Sequence, residues 1–482
     1  MIACGGDSTF ATTETGMVVS FGDNKFGQLG RPESQNDYPM NTDCIKDGKV
    51  CSIRQVSSGK YHTGLVSFDG DLFMCGEGVN GELGLRDKED RMTPTQVPRE
   101  RFGGDAVLMV ACGYVHTAVV TKSGGVYTFG YGGNGQLGHG NYNEQLAPIQ
   151  VAATGFRPGG SAEGPSERIV MVAAGGQFGA HTVALSEAGH VFTWGAGSVG
   201  QLGHDDQNSH WAPRQVKASR FASRQGEKVV FVAAGGSHTV AVTAGGRLYT
   251  WGNGSYGQLG HGDDEHQCAP KQVAPEQFEN SAVVMAACGV KHTLVVTEDG
   301  ALWACGCGEY GKLGLNDETD RHSFELVGAG GVGGMRVVVA AAGDQHSAAV
   351  TEDGALWTWG FNFYGQLGGR EESNSLQPKK VTTTPNKAPK FGGSSNLSTK
   401  MQEQAVLALT KTMKTPEQNT FEPALVEYIV QQAKSFLPEW LSDYPGLRRL
   451  LGERPTVPPS SKQKTNLLTV VCQRCQIQAS SA

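Results

Sequence analysis

The sequence repeats one short unit through most of its length, and this repetition limits the possible folds more than any other feature. The tetrapeptide Gly257-Gln258-Leu259-Gly260, or a close variant of it, begins at seven positions: Gly27, Gly81, Gly135, Gly200, Gly257, Gly311 and Gly365. Successive copies lie 54, 54, 65, 57, 54 and 54 residues apart. A period of this length is typical of solenoids and propellers, in which each unit is stabilised by its neighbours.

A histidine marks a second position of the unit and recurs with the same period. It precedes Thr or Ser in six copies: His62, His116, His181, His238, His292 and His346. The first copy has Ser8-Thr9 at the corresponding position. Metal ligands must converge within about 2.1 Å of one ion, whereas equivalent positions around a ring are held apart. We therefore expect no metal site here, and we expect each histidine to form hydrogen bonds within its own unit.

Four short β-strands can be assigned within one unit, separated by glycine turns. Residues 229–236, 238–243 and 247–252 are apolar, β-prone or alternating, and residues 269–273 give a further edge strand. The tetrapeptide lies in the loop after the third strand. Its glycines permit positive φ, its leucine can be buried, and Gln258 can bond to backbone groups of the loop. The pattern predicts an all-β propeller in which this tetrapeptide, here called the latch, fastens each blade.

Composition and charge exclude several other classes of protein. The net charge is −7, so there is no global basic field for binding nucleic acid. No apolar run reaches the roughly 18 residues of a membrane span, and the first residues lack the pattern of a signal peptide. The eleven cysteines have no disulfide-like spacing, so we expect free thiols and a reducing compartment, the cytoplasm or the nucleus. Neither a phosphate-binding loop nor a nucleophile elbow is found, and we expect no cofactor.

Residues 232–262, VAAGGSHTVAVTAGGRLYTWGNGSYGQLGHG, closely resemble the repeat of the regulator of chromosome condensation family. Similar units cover residues 1–383. The resemblance implies a seven-bladed β-propeller. Rings of this family usually close by pairing strands from both ends of the chain. The resemblance therefore implies that residues 375–383 supply the late strand that the first blade lacks.

Residues that differ between units while the frame stays constant are the candidates for function. In the family these are the two positions between the repeat glycine and the histidine, which we call the pre-histidine pairs. We expect them on one face of the ring, near the central channel. Aromatic anchors beside charges are typical of protein-binding hot spots. The predicted partner-binding residues are Asp7, Lys60, Tyr61, Tyr114, Lys291, Asp344 and Gln345.

These observations favour a non-enzymatic scaffold that presents this face to a protein partner. The alternative is a guanine-nucleotide exchange factor for a Ran-like small GTPase, the activity of the founding type of the family. That type uses acidic and histidine residues at pre-histidine positions, and Asp344 and Asp7 match it in kind, but its β-wedge insertion has no clear counterpart. The plant UV-B photoreceptors of the family carry tryptophans in this loop. None of the seven tryptophans here lies in a pre-histidine pair, so we expect no such sensor.

The periodicity ends after Thr384, and a different composition follows. We predict a propeller at 1–384, a flexible linker at 385–398, a short α-helical C-terminal extension at 399–452 and a flexible tail at 453–482. Thr399 and Gln402 have the spacing of a capping box, and Pro423 suits a first helical turn. These helices either pack together or against the propeller, or they bind a partner or a second copy. The lone CxxC at 472–475 is a weak zinc pattern without a second half.

Overall fold

The structure, a computed structural model, describes residues 1–13, 15–32, 39–160, 165–177, 179–221, 227–328, 332–369 and 373–382. Within these ranges the chain forms seven four-stranded antiparallel sheets. Each sheet contacts the next one along the chain, and the first sheet contacts the seventh, so the sheets close into a ring. The predicted all-β, seven-bladed propeller is confirmed. The linker, helical extension and tail predicted from residue 385 onward lie outside the described residues.

Each blade is formed by four consecutive strands, counted here from strand 1 to strand 4. Blades 1 and 2 comprise Ile2–Cys4, Ser8–Thr12, Val18–Gly22 and Met40–Thr42, then Ile53–Ser58, His62–Ser67, Leu72–Gly76 and Arg91–Val97. Blades 3 and 4 comprise Val107–Cys112, His116–Thr121, Val126–Gly130 and Gln145–Gln150, then Ile169–Ala174, His181–Ser186, Val191–Gly195 and His210–Gln215. Blade 5 comprises Val229–Ala234, His238–Thr243, Leu248–Gly252 and Gln267–Gln272. Blade 6 comprises Val283–Cys288, His292–Thr297, Leu302–Gly306 and Arg321–Leu326. Blade 7 comprises Val337–Ala342, His346–Thr351, Leu356–Gly360 and Ser375–Lys380.

Short elements connect the blades. A two-stranded hairpin of Ile45–Lys46 and Lys49–Val50 follows blade 1. Single 3-10 turns span Arg99–Phe102, Ala153–Phe156, Pro158–Gly160, Ala218–Arg220, Pro275–Phe278 and Glu309–Gly311. Three of them place a buried phenylalanine between blades: Phe102, Phe156 and Phe278. In the part of the chain that the structure describes, no helix is long and apolar enough to cross a membrane.

The hydrophobic core lies between the blades. Strand 2 of every blade is buried along its whole length because a sheet covers it on each side. Each core cluster joins residues of adjacent blades; one of them packs Val66 of blade 2 against Val110 and Val119 of blade 3. The tryptophans before the glycine that ends strand 3, Trp194, Trp251 and Trp359, have no exposed surface. A blade buries its faces only against its neighbours, which explains why the unit has to be repeated.

The ring closes differently from the closure that the resemblance implied. Strand Ser375–Lys380 pairs within blade 7, and blade 1 has its own strand 4, Met40–Thr42. The expectation that residues 375–383 complete blade 1 is therefore wrong. Each blade comes from one continuous segment, because the repeat begins with strand 1 rather than partway through a sheet. Blades 7 and 1 meet through strand contacts and through a backbone hydrogen bond of 3.3 Å from Asp344 N to Gly6 O.

The latch works as predicted and also contacts the next blade. The side chain of Gln258 accepts a hydrogen bond from Tyr256 N at 3.0 Å, and Leu259 is 1% exposed. Gly257 has a φ of +75°, and a Cβ at this position would lie 2.5 Å from His322 Cα in strand 4 of blade 6. Glycine is needed here both for its backbone conformation and for the close approach of a neighbouring backbone. The latch therefore fastens blade 5 to blade 6.

The repeated histidines also connect neighbouring blades, which corrects the expectation that each bonds within its own unit. His238 Nε2 lies 2.9 Å from Thr293 Oγ1 of blade 6, and that hydroxyl donates to Gln258 O of blade 5 at 2.7 Å. A hydroxyl that donates to a carbonyl must accept from the imidazole, so the ring is the neutral Nε2–H tautomer. Six interfaces repeat this arrangement, and the one between blades 7 and 1 uses His346 and Thr9 at 2.8 Å.

Candidate functional site

The pre-histidine pairs and the loops that carry the latches lie on the same face of the ring. Both connections are made at one end of each antiparallel blade: strand 1 to strand 2, and strand 3 to strand 4. A backbone hydrogen bond ties the two loops together in every blade, as from Glu77 N to Tyr61 O at 2.8 Å and from Phe361 N to Gln345 O at 2.9 Å. We call this surface the pre-histidine face.

The central channel opens at this face. It encloses a cavity of about 160 Å³, and small residues at the ends of the innermost strands line it: Cys4, Ser58, Cys112, Ala174, Ala234, Cys288 and Ala342. Small side chains are needed there because seven strands converge. Three of the predicted partner-binding residues, Lys60, Tyr114 and Asp344, line the same cavity. These three variable side chains are therefore gathered at the channel mouth.

Lys60 contacts two tyrosine rings on one side of the channel mouth. Its Nζ donates a hydrogen bond to Tyr114 Oη, and it lies 4.4 Å from the centre of the Tyr114 ring and 4.9 Å from that of Tyr61. Tyr61 in turn packs against Phe26, with ring centres 5.0 Å apart. Cation–π contacts of this kind hold a lysine over aromatic faces. The structure thus brings three sequence-predicted residues from blades 2 and 3 into one cluster.

Asp7 and Asp344 form the acidic part of the mouth, at the junction of blades 1 and 7. Burial, together with repulsion from Asp344 and Asp23, raises the pKa of Asp7 to about 6. Burial raises the pKa of Asp344 to about 6 as well. The carboxylate of Asp7 accepts a hydrogen bond from Gln366 Nε2 at 3.1 Å. Two carboxyls with raised pKa values at a channel mouth are an arrangement found at functional sites.

Lys291 and Gln345 are held by partners that the sequence had not indicated. Lys291 Nζ lies 3.1 Å from Tyr256 Oη and 4.2 Å from the centre of that ring. Gln345 Oε1 accepts a hydrogen bond of 2.7 Å from Nζ of Lys312, the fully buried lysine that replaces glutamine in the latch of blade 6. Both residues lie on the pre-histidine face, but they do not join the cluster around Lys60.

Sequence reasoning missed a second set of side chains on this face. The residue before the latch glycine is aromatic in four neighbouring blades, 5, 6, 7 and 1, as Tyr256, Tyr310, Tyr364 and Phe26. Blades 2, 3 and 4 have Asn80, Asn134 and Val199 there. Comparing this repeat position between units, as for the pre-histidine pairs, would have revealed the difference. At this repeat position, aromatic side chains therefore occupy one side of the ring.

A second set of histidines, one in each of blades 3, 4 and 5, forms hydrogen bonds within its own blade. His139, His204 and His261 follow the latch, and each Nε2 lies 2.9 Å from a threonine hydroxyl in strand 3 of its own blade. Across the ranges that the structure describes, no three histidine, cysteine or carboxylate side chains converge as metal ligands would. The same ranges contain nine cysteines, all of them free. The arrangement at the channel mouth is suited to binding by aromatic contact, charge and hydrogen bonds.

Comparisons with known proteins match most of the chain. The profile described as the RCC1-like domain matches residues 157–414, and profiles of the regulator of chromosome condensation (RCC1) repeat match residues 2–28, 69–120 and 123–185. The ultraviolet-B receptor UVR8 of Arabidopsis thaliana is 36% identical over 336 residues, which are 69% of this chain and 70% of that protein. The secretion-regulating guanine nucleotide exchange factor of Bos taurus is 28% identical over 394 residues, which are 78% of this chain and 80% of that protein. The crystal structure of Prp20p from Saccharomyces cerevisiae shares the fold, with a TM-score of 0.63 and 24% identity over 78% of this chain and 88% of that one.

Proposed function

This chain is a member of the regulator of chromosome condensation (RCC1) repeat family, and from that premise we propose that it is a non-enzymatic scaffold that binds a protein partner through the pre-histidine face. One observation carries the proposal. The side chains that vary between otherwise repeated blades, Lys60, Tyr114 and Asp344, meet at the channel mouth and are only partly buried. A fixed frame with variable, partly exposed aromatic and charged side chains supports protein recognition.

Site-specific crosslinking in cells tests this proposal. A photoreactive benzoylphenylalanine is placed at Tyr114, and the matched control replaces Phe68, which lies in the turn between strands 2 and 3 at the opposite end of a blade and is 45% exposed. We expect the same protein adduct from Tyr114 in repeated experiments and its absence from Phe68. Adducts that form equally at both positions, or none at Tyr114, would contradict a binding role for this face.

Guanine-nucleotide exchange on a Ran-like GTPase is the second candidate function. It is supported by the two carboxyls Asp7 and Asp344 at the channel mouth and by a relative that is named as a guanine nucleotide exchange factor. Prp20p, which shares the fold, has binding properties to Gsp1p and histones. Release of fluorescent GDP from purified Ran separates the two functions. Strong acceleration that is lost in Asp344→Ala would establish exchange, whereas no acceleration at micromolar protein would leave the scaffold proposal.

A further inference from the structure

Blade 7 carries an exposed group of aromatic rings on the pre-histidine face. Phe363 is 66% exposed and Tyr364 is 42% exposed, and their ring centres are 5.1 Å apart. Phe361 lies 6.3 Å from Phe363 and 4.8 Å from Tyr310 of blade 6. Single exposed apolar side chains are common on proteins, but a contiguous exposed patch marks an interaction site. We call these four residues the blade 7 aromatic cluster.

The cluster is joined directly to the acidic part of the channel mouth. Tyr364 N donates to Gln366 Oε1 at 3.0 Å, and the other end of the same amide donates to Asp7 at 3.1 Å. Phe361 N donates at 2.9 Å to the backbone oxygen of Gln345, the residue that follows Asp344. An apolar surface and two carboxyls therefore lie side by side at the junction of blades 7 and 1.

In the part of the chain that the structure describes, neither Asp7 nor Asp344 forms a direct ion pair, although the charge of Lys60 acts on both carboxyls. Lys60 and Lys312 are the cations whose charge acts on Asp344. Lys60 donates to Tyr114, and Lys312 donates to Gln345 at 2.7 Å and to the backbone oxygen of Glu309 at 3.2 Å. A partner that covered this junction would remove water from both carboxyls. The charges of Lys60 and Lys312 do not outweigh the effect of burial on these carboxyls, and deeper burial without a direct ion pair is costly, so we expect such a partner to bring a positive charge of its own.

We propose that the blade 7 aromatic cluster and the pair Asp7 and Asp344 form one docking site for an extended protein segment that carries an apolar side chain beside a lysine or arginine. The apolar side chain covers Phe363 and Tyr364, and the basic side chain forms a direct ion pair with the carboxyls at the channel mouth. The inference rests on the proposed scaffold function and adds the chemistry of the partner. A nucleic-acid strand fits less well, because its phosphates would face the two carboxyls.

Peptide display on the full chain tests the proposal without a known partner. A library of random dodecapeptides is selected against the protein, and we expect the enriched sequences to share an apolar residue within two positions of Lys or Arg. A fluorescein-labelled peptide of the most enriched sequence is then titrated by fluorescence polarisation. Phe363→Ser and Asp344→Asn should each weaken binding at least about tenfold. Asp344→Asn should also reduce the salt dependence of binding, because it removes one charge from the interface.

Two matched variants control for loss of an aromatic ring or a carboxyl elsewhere. Tyr142→Ser removes a ring that is 52% exposed, and Asp264→Asn removes an exposed carboxyl in the loop after the latch of blade 5. Both should keep the affinity of the wild type within about twofold, since surface changes away from a site have small effects. The thermal unfolding midpoint of every variant is measured, so that a folding defect is not read as lost binding.

Four results would overturn the proposal. They are the absence of any enriched peptide, a consensus without a basic residue, affinity unchanged by Phe363→Ser or Asp344→Asn, and equal losses in the control variants. Self-association that Phe363→Ser abolishes in sedimentation, or oligouridine binding that it abolishes, would replace the segment by a second copy or by RNA. If the Tyr114 crosslinks persist while no peptide binds, this inference fails alone. If the crosslinks also fail, the scaffold proposal fails with it.

Discussion

Acid should unfold this propeller steeply, because its repeated histidines are buried in the neutral form. Burial lowers the pKa of His62, His181 and His346 to about 4 and that of His116 and His238 to about 3; in His292 burial also lowers the pKa. An unfolded histidine titrates near pH 6.5. As the pH falls below 6.5, the unfolded chain therefore binds protons that the native ring cannot bind. Stability is lost from there down to about pH 4, where the native histidines also become protonated.

The expected loss can be estimated group by group. One histidine with a native pKa of about 4 loses roughly 2 kcal/mol of stabilisation between pH 8 and pH 5, and the five whose pKa falls to about 3 or 4 lose roughly 10 kcal/mol. Three carboxyls act in the opposite sense because burial raises their native pKa: Asp7 and Asp344 to about 6, and Glu82 to about 7. As these carboxyls bind protons over the same pH interval, they stabilise the native ring by roughly 5 kcal/mol. These eight groups together give a net loss of about 5 kcal/mol, which is comparable with the whole stability of a marginal domain.

Urea unfolding followed by tryptophan fluorescence measures this effect, since Trp194, Trp251 and Trp359 are fully buried in the native ring. The free energy of unfolding is measured at pH 7.5, 6.0 and 5.0 for the wild type and for His238→Gln. Removing one titrating ring should reduce the slope of stability against pH by up to about 1.4 kcal/mol per pH unit. A wild-type stability that stays constant between pH 7.5 and 5.0, or a slope that the substitution leaves unchanged, would refute the reasoning.

Three further predictions concern the frame and the C-terminal region. Thr293→Val removes the hydroxyl that the buried histidine of blade 5 and Gln258 O share, and it should lower the free energy of unfolding in urea by about 1–3 kcal/mol. Thr293→Ser keeps a hydroxyl and should retain most of that stability. Equal losses in the two variants would argue against the hydrogen bond. Gly257→Ala should destabilise by well over the roughly 1–2 kcal/mol expected of the left-handed backbone alone, because strand 4 of blade 6 occupies the Cβ position. Gly48→Ala is its control, since Gly48 has a φ of +74° with nothing within 4 Å of a Cβ, and similar losses would refute the packing argument. Circular dichroism of the full chain should show more helical signal than a chain of residues 1–384, and identical helical content would exclude the predicted extension.

The strands and turns of the blades could be predicted from the repeat because the residue types in one unit depend on the local structure of that unit. Alternation, glycine turns and the latch are properties of one unit, so the strands of blade 5 and the role of Gln258 could be predicted from sequence. A period cannot distinguish a contact within one unit from a contact with the equivalent position of the next unit. This explains why the sequence favours a bond of His238 within its own blade, although the residue bonds to Thr293 of the next. The wrong closure has another cause: the family resemblance implied that residues 375–383 complete blade 1, whereas blade 1 has its own strand 4, Met40–Thr42.

The candidate site was predicted only in part, for a related reason. Lys60, Tyr114 and Asp344 belong to the pre-histidine pairs, which differ between units, and all three lie at the channel mouth. Phe363 and Tyr364 lie in a different loop of the unit, and only the fold shows that the two loops share a face. The contact between Lys312 and Gln345 joins residues of two blades, and no spacing in the sequence indicates such a pair.

The construction of every blade from one continuous segment has a consequence for how such a ring can change. Among the described residues, every four-stranded sheet is made of four strands that follow one another along the chain. A whole blade could therefore be duplicated, exchanged with that of a relative or rewritten in its loops without breaking any strand pairing. The latches and the histidine hydrogen bonds are repeated contacts between neighbouring blades, and any blade with the same hydroxyl and glycines can form them. The loops that contact a partner can thus change in one blade at a time, while the contacts between blades stay the same.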